Sequence, residues 1–258
     1  MSARTGSKGL ATTPPPGGDP VAWHDAENGA YTADLGLWRR LAAALPGGVV
    51  DLGSGTGRVA LPLAEAGSAV VAVDTDRTLL DVLSERARER GLAVETACCD
   101  VRSLDLGRTF PLIAAPMQLL HILGGAAGRR RALTAIGAHL APGGRFCAIV
   151  LEEPLPIGTG RPDPVPDVRE VGGWVHSSLP TEIEIDEDAI TMRRLRQLVA
   201  PDGTLSEEQH TIGLDRFTLA ELERDAGAAG LWIVGAERLP STIEYEDSVA
   251  VFMEVRGG

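Results

Sequence analysis

The stretch Val49-Val50-Asp51-Leu52-Gly53-Ser54-Gly55-Thr56-Gly57-Arg58 decides the fold, because a short apolar run breaks there into glycines at alternate positions. The apolar run predicts a buried strand, and the glycines allow a turn with positive φ that brings the backbone close to a ligand. A helix that begins after such a turn presents unpaired amide groups to that ligand. The next apolar run ends in Asp74, whose carboxylate can accept both hydroxyls of a ribose. Together these features predict a nucleoside pocket.

The glycine spacing distinguishes between nucleotide cofactors. A dinucleotide fingerprint, G-x-G-x-x-G, requires glycine at position 58, but this chain has Arg58 there. The run from Asp51 to Gly57 instead resembles the first motif of class I S-adenosylmethionine-dependent methyltransferases, and the resemblance extends roughly from Trp23 to Arg256. It implies S-adenosyl-L-methionine as the cofactor and S-adenosyl-L-homocysteine as its product.

The resemblance also implies roles for residues at the strand ends. Asp51 is expected near the ammonium group of the methionine part, and Asp100 is expected to accept a hydrogen bond from the adenine amino group. An aspartate that initiates a turn is the alternative for Asp100. The residues expected to bind the cofactor are Asp51, Gly53, Gly55, Gly57, Asp74, Asp100, Val101, Pro116 and Met117.

Two polar residues near predicted strand ends are candidates for proton transfer. An ammonium acceptor must lose a proton before it attacks, which favours a group that titrates near neutrality, such as His121. The alternative for His121 is packing of the segment after the fourth strand. Glu152, at the mouth of the fifth predicted strand, is the second candidate, and a solvated strand end is its alternative. Displacement at a sulfonium otherwise needs alignment of the acceptor and exclusion of water.

The segment Ala115-Pro116-Met117-Gln118 bears on the acceptor. It lacks the Asn/Asp-Pro-Pro-aromatic motif of adenine and glutamine N-methyltransferases and resembles the small-molecule branch, such as the sugar-amine and glycine N-methyltransferases. The resemblance implies methyl transfer to an amine nitrogen of a small molecule, in natural-product biosynthesis. The alternatives left open are an O-methyltransferase acting on a hydroxylated metabolite, an enzyme that modifies RNA or protein, and a non-catalytic relative of the fold.

The amino-acid composition of the chain restricts the classes of partner that we expect it to bind. A net charge of −12 repels a nucleic-acid backbone, and the basic run Arg129-Arg130-Arg131 is typical of the solvated first turn of a helix. No apolar run approaches the roughly 20 residues that cross a bilayer, and the segment after Met1 has no apolar signal region. The three cysteines form neither a disulfide framework nor a spaced metal site. We therefore expect a cytoplasmic enzyme with no membrane, nucleic-acid or metal partner, and a homodimer is left open.

The pattern along the chain predicts the architecture. Residues 1–20 are rich in Pro and Gly and predict a flexible tail, so the folded methyltransferase domain is expected over 21–258. Alternating strands and helices predict an α/β, Rossmann-like, doubly wound sheet of seven strands whose last strand is antiparallel. A Pro-rich loop and two or three short strands over about 154–214 predict an antiparallel β insertion that caps the active site.

Overall fold

The computed structural model describes residues 17–151, 163–239 and 248–255. The strands in these ranges are β1 (Val49–Leu52), β2 (Val70–Asp74), β3 (Val94–Cys98), β4 (Phe110–Ala115), β5 (Leu140–Leu151), β6 (Asp167–Val171), β7 (Trp174–Ile185), β8 (Ala189–Val199), β9 (Leu205–Asp215), β10 (Leu231–Leu239) and β11 (Ser248–Val255). The α-helices there are α1 (Pro20–Gly29), α2 (Leu35–Ala44), α3 (Ala60–Glu65), α4 (Arg77–Glu89), α5 (Gly125–Ala138) and α6 (Leu219–Ala228). None of these helices is long and apolar enough to cross a membrane.

Seven strands form one sheet in the order β10-β11-β5-β4-β1-β2-β3. Strand β1 pairs in parallel with both β2 and β4, whereas β11 pairs antiparallel with β5 and with β10. The predicted seven-stranded sheet with an antiparallel last strand is confirmed. The chain leaves β1 in one direction for β2 and later returns to its other side for β4, and ligands bind at the carboxyl ends of strands beside such a switch point.

Alternate residues of β1 enter two hydrophobic layers, one on each face of the sheet. Val50 packs into the layer that contains Leu133 of α5 and Leu222 of α6. Val49 packs into the other layer, together with Trp38 of α2. Successive side chains of a strand point to opposite faces, so a continuous apolar run is buried when helices cover both sides. The doubly wound arrangement predicted from the alternation is therefore present.

A second sheet contains four antiparallel strands in the order β6-β7-β8-β9. It is the predicted antiparallel insertion, but β6 was not predicted, and β7, with 12 residues, is longer than expected. Arg193 of β8 forms ion pairs across to Glu182 and Glu184 of β7. Such cross-strand charge pairs support a sheet without the apolar alternation from which strands are predicted. The prediction therefore underestimated this sheet.

Helix α1 joins the two sheets through its acidic side chains. Glu27 accepts hydrogen bonds from the guanidinium of Arg196 on β8, with both distances 2.8 Å. Asp25 is paired with Arg86 of α4, which belongs to the seven-stranded unit. The side chains of Asp25 and Glu27 are 9% and 10% exposed, and charge pairs at such buried positions are screened less than at the surface. Helix α1 thus holds the insertion against the main sheet.

The folded region begins earlier than predicted. Asp19 accepts a hydrogen bond from the N–H of Val21 at 3.0 Å and so caps α1. The backbone N–H of Asp19 donates to Nε2 of His176 on β7 at 3.3 Å. Residues 17–20, expected in the tail, therefore belong to the folded structure. The remainder of the predicted tail, residues 1–16, lies outside the described residues.

The basic run in α5 is solvated only in part, because Arg130 is exposed whereas Arg129 is buried. Arg129 is 3% exposed, and its Nη2 lies 2.6 Å from Oδ2 of Asp225 on α6. Its guanidinium also lies over the ring of Phe217 at 4.0 Å. Arg131 is exposed, as expected. The prediction failed for Arg129 because its partner comes from a helix far along the chain.

Candidate active site

A cavity of about 480 Å³ opens at the carboxyl ends of β1, β2 and β4. The residues that line it include Asp51, Gly53, Asp74, Asp100, Val101, Pro116 and Met117, all of which were predicted to bind the cofactor. Helix α1 adds His24 and Asn28, and β9 of the insertion adds Ile212 and Leu214. The cavity therefore has one wall from the main sheet and another from the insertion and α1.

The three glycines of the turn have positive φ angles of 68°, 51° and 98° at Gly53, Gly55 and Gly57, but they serve different purposes. A Cβ at Gly57 would lie 2.9 Å from Cγ of Leu61, so this glycine allows α3 to pack closely. A Cβ at Gly55 would lie 2.2 Å from Nε2 of His24. A Cβ at Gly53 would meet nothing nearer than 3.4 Å, and Gly53 faces the open cavity. Of these three glycines, only Gly53 lines the cavity, whereas Gly55 and Gly57, which were also predicted to bind the cofactor, are buried beneath neighbouring side chains.

Asp51 is a buried carboxylate without a partner. Its side chain is 1% exposed, and neither oxygen has a hydrogen-bond partner among the described residues. Burial raises the pKa of Asp51 from 3.8 to about 7, although the nearby charge of Arg58 and the neighbouring backbone N–H of Ala60, which lies outside good hydrogen-bond geometry, oppose this. A buried charged group without a partner is costly, so a cationic donor brought by a ligand would relieve that cost. Asp51 therefore fits the predicted contact with an ammonium group.

Arg58 does not neutralise Asp51, because its guanidinium is held elsewhere. Its two terminal nitrogens lie 2.6 and 2.8 Å from the two carboxylate oxygens of Asp34, and Nη1 also donates to the carbonyl of Tyr31 at 3.0 Å. Asp34 is fully buried and accepts a further hydrogen bond from Trp38. A bidentate pair fixes orientation as well as charge. Arg58 thus fastens the segment between α1 and α2 onto the glycine turn.

Asp74 ties the end of β2 to the glycine turn. Its Oδ2 accepts a hydrogen bond from the N–H of Gly55 at 2.8 Å, and its Oδ1 accepts from the N–H of Asp76 at 3.0 Å. Each carboxylate oxygen has a second lone pair, so Asp74 can also accept from a ligand in the cavity that it lines. The arrangement is compatible with the predicted contacts to ribose hydroxyls, which stay a prediction.

Asp100 adopts the turn-capping role that the sequence left open. It accepts a hydrogen bond from the N–H of Arg102 at 2.8 Å and caps the short 3₁₀ turn Val101–Ser103. Hydrogen bonds from Arg102 hold the pKa of Asp100 below its ordinary value, and the guanidinium lies 2.5 Å from Oδ2. Asp100 and Val101 nevertheless line the cavity. Their predicted contact with adenine is therefore still open.

Strained backbone marks the end of β4. Met117 has a φ of 56°, and within the described ranges it is the one residue other than glycine with positive φ. Such strain persists where surrounding structure enforces it, and it is concentrated at binding and catalytic sites. The turn at Met117 places Pro116, Met117 and Gln118 on the wall of the cavity.

Residues 49–144 match the family described as "Methyltransferase domain". These residues include β1 to β4, the glycine turn, Asp74 and Asp100. Over these residues the chain is similar to a methyltransferase domain. The order and directions of the seven strands confirm the class I fold that the resemblance of the glycine motif implied.

Known relatives of this methyltransferase domain differ in how much of the chain they cover. Cypemycin N-terminal methyltransferase from Streptomyces sp. is 38% identical over 96 residues, which are 37% of this chain and 38% of that protein. The match therefore spans well under half of that relative.

Two solved structures match the chain over a greater length. The sugar N-methyltransferase KedS8 from Streptoalloteichus sp. has a TM-score of 0.69 at 19% identity, covering 99% of this chain and 100% of its own. CalS10, an amino pentose methyltransferase from Micromonospora echinaspora with S-adenosylmethionine bound, has a TM-score of 0.63 at 22% identity, with coverages of 89% and 94%. These two structures show that the fold extends beyond the matched domain.

His121 lies outside the cavity of the methyltransferase domain. Its Nδ1 donates to the carbonyl of Asp215 at 2.7 Å, and its Nε2 accepts from the N–H of Leu151 at 3.1 Å. The ring is 1% exposed and stacks on Phe217. Burial lowers the pKa of His121 to about 4, although the carbonyl of Asp215 opposes this. Since both ring nitrogens are engaged, the geometry favours the packing alternative over the predicted catalytic role.

Glu152, the second catalytic candidate, lies outside the described residues. It directly follows Leu151, the last residue of β5. Its predicted role in proton transfer therefore stays a prediction.

Sequence reasoning missed the residues that α1 contributes to the site. His24 and Asn28 both line the cavity, and residues four apart lie on the same face of a helix. The spacing was visible, as was the start of the helix at Asp19-Pro20. Nothing in the local pattern indicated that this face would lie against the glycine turn.

Proposed function

We propose that this chain transfers a methyl group from S-adenosylmethionine to an amine nitrogen of a small molecule in natural-product biosynthesis. The observation that carries the proposal is a single cavity shared by two sets of residues. Asp51 and Asp74 belong to the cofactor side, and Ile212 and Leu214 of the insertion border the same space. A cofactor and an acceptor bound in one enclosed space can meet in line for displacement.

The chain's own contribution is binding, alignment and exclusion of water. The cofactor supplies a methyl carbon on a sulfonium, which is displaced by the lone pair of the acceptor to leave S-adenosylhomocysteine. Asp51 and Asp74 would hold the cofactor, and the apolar side chains of Leu119, Ile212 and Leu214 restrict water at the cavity wall. An ammonium acceptor releases one proton before attack, and Glu152 is the proposed recipient because both nitrogens of His121 are engaged.

The charges at the cavity disfavour an anionic acceptor, because in the described part of the chain no arginine that lines the cavity is left without a carboxylate partner. Arg58 and Arg102 both line it, but Asp34 and Asp100 hold their guanidinium groups. Asp51 keeps no such partner within the described structure. The whole chain has a net charge of −12, so a polyanionic acceptor would be repelled.

The names of the relatives support nitrogen as the acceptor atom. Cypemycin N-terminal methyltransferase, a sugar N-methyltransferase and an amino pentose methyltransferase are among them. The first of these proteins matches only part of this chain, and the other two are under 25% identical to it. Their names therefore serve only to select the acceptors to be tested.

The test has two stages. Calorimetry should first detect binding of S-adenosylmethionine to the full chain, and a folded protein that binds none would refute the proposal. Mass spectrometry with deuteromethyl-labelled cofactor would then compare matched pairs of acceptors that differ only in an amine or a hydroxyl. The panel includes amino sugars and short peptides with a free N-terminus. We expect the label on the amine member of a pair, and labelling of hydroxyls alone would establish the O-methyltransferase alternative instead.

A further inference from the structure

His24 stands directly over the glycine turn of the cofactor site. Its Nε2 lies 2.2 Å from the position that a Cβ on Gly55 would occupy, so only glycine leaves room for the ring. His24 lines the same cavity as Asp51 and Asp74. Among the described residues, Nε2 of His24 forms no hydrogen bond. Nε2 therefore lies against the backbone of Gly55, at the edge of the cavity that His24 lines.

The hydroxyl of Thr56 favours a proton on Nδ1 of His24. Oγ1 of Thr56 donates to Oδ1 of Asp25 at 2.7 Å. A hydroxyl has only one proton to donate, so towards Nδ1 of His24, 3.5 Å away, the hydroxyl of Thr56 can act only as an acceptor. A hydrogen bond between these two atoms requires the proton on Nδ1, which leaves Nε2 with an unshared electron pair beside the glycine turn.

Asp25 is in turn held as an acceptor. Its carboxylate is paired with the guanidinium of Arg86, whose Nη1 lies 3.1 Å from Oδ1. Burial opposes ionisation, but hydrogen bonds from Arg86 and Thr56 keep the pKa of Asp25 below its ordinary value. An ionised carboxylate cannot donate to Thr56, so the direction of the chain Arg86, Asp25, Thr56, His24 is set throughout.

We propose that Nε2 of His24 accepts a hydrogen bond from a donor of the cofactor, either a ribose hydroxyl or the ammonium group, and that Thr56 is a positioning residue which keeps Nε2 unprotonated. This inference rests on the proposed function, because it takes S-adenosylmethionine to be the ligand. Burial lowers the pKa of His24 below 6.5, so the ring is neutral near pH 7. A neutral Nε2 acceptor matches a hydroxyl or ammonium donor and does not match the cofactor's carboxylate.

Calorimetry of S-adenosylhomocysteine binding tests the proposal without depending on turnover. The loss of one hydrogen bond in His24→Ala should weaken binding by about three- to tenfold if the donor is a ribose hydroxyl, and by more if it is the charged ammonium group. Thr56→Val should weaken binding to a similar extent, whereas Thr56→Ser keeps the hydroxyl and should bind as the wild type does. His210→Gln, on β9 and outside the cavity lining, is the control for loss of a histidine.

A second measurement separates this role from simple packing. Long-range ¹⁵N–¹H NMR correlation should show the ring proton of His24 on Nδ1 in the wild type and in Thr56→Ser. In Thr56→Val the proton should exchange between Nδ1 and Nε2. Methylthioadenosine, which has the ribose but no ammonium group, identifies the donor. Equal weakening for it and for S-adenosylhomocysteine in His24→Ala assigns the ribose, and weakening for S-adenosylhomocysteine alone assigns the ammonium group.

The outcomes distinguish this inference from the proposed function. If the folded wild type binds no cofactor, the proposed function fails and this inference fails with it. If the wild type binds but folded His24→Ala binds equally well or more tightly, only the role of His24 is overturned. A wild-type proton on Nε2 would also overturn it.

Discussion

Replacing Asp51 with asparagine should remove a pH-dependent loss of stability from the cofactor-free protein. Burial raises the pKa of Asp51 from 3.8 to about 7, so the folded protein binds a proton that the unfolded chain releases. The stability that this proton contributes is complete below the unfolded pKa and is lost as the pH rises through 7. Asparagine has the same shape and does not titrate, so Asp51→Asn should escape this loss.

The expected size follows from the shift in pKa. One unit corresponds to about 1.36 kcal/mol, so a shift of roughly three units costs about 4 kcal/mol when Asp51 is fully ionised. Between pH 5 and pH 8 the wild type should lose about 2 to 3 kcal/mol of unfolding free energy relative to Asp51→Asn. The packing and solvation of the new amide do not change with pH. They therefore cancel when the difference between the two proteins is compared across pH values.

Urea denaturation at pH 5, 6, 7 and 8 measures this difference. Asp81→Asn, which changes an exposed aspartate on α4, is the control and should follow the wild-type profile. Parallel profiles for the wild type and Asp51→Asn would refute the assignment of a raised pKa to Asp51. In calorimetry, the wild type should bind S-adenosylmethionine more tightly as the pH rises towards 7 and Asp51 ionises, and Asp51→Asn should lose this dependence.

Three further substitutions test the rest of the site and the fold. Asp74→Ala should weaken cofactor binding by about 1–3 kcal/mol in calorimetry, and unchanged affinity would contradict the ribose assignment. His121→Ala should lower the unfolding free energy by about 2–4 kcal/mol while turnover per folded molecule is kept, and the reverse pattern would restore the catalytic role. Arg129→Ala should cost about 2–3 kcal/mol because it removes the buried partner of Asp225 and leaves that carboxylate only its ion pair with half-exposed Arg130, whereas exposed Arg131→Ala should stay within about 0.5 kcal/mol. Equal effects in urea denaturation would contradict the burial of Arg129.

The sequence by itself determined the main sheet and the cofactor side of the site. The apolar run before the glycine turn is strand β1, as predicted, and Thr218 and Glu221 form a capping box at the start of α6. These features are local, since side-chain alternation, glycine conformation and helix caps act within a few residues. The aspartates at the strand ends also fell into one cavity, because the carboxyl ends of parallel strands meet at one edge of a sheet.

The tertiary structure alone decided the state of each polar group in that site. The sequence contains His121, Asp215 and Leu151 at distant positions, and only folding joins them into a closed set of hydrogen bonds. Asp51 lacks a partner because Arg58 is held by Asp34, which no local pattern shows. Burial and pairing depend on which surfaces meet across the fold, and they set the pKa and the free lone pairs on which the chemistry depends.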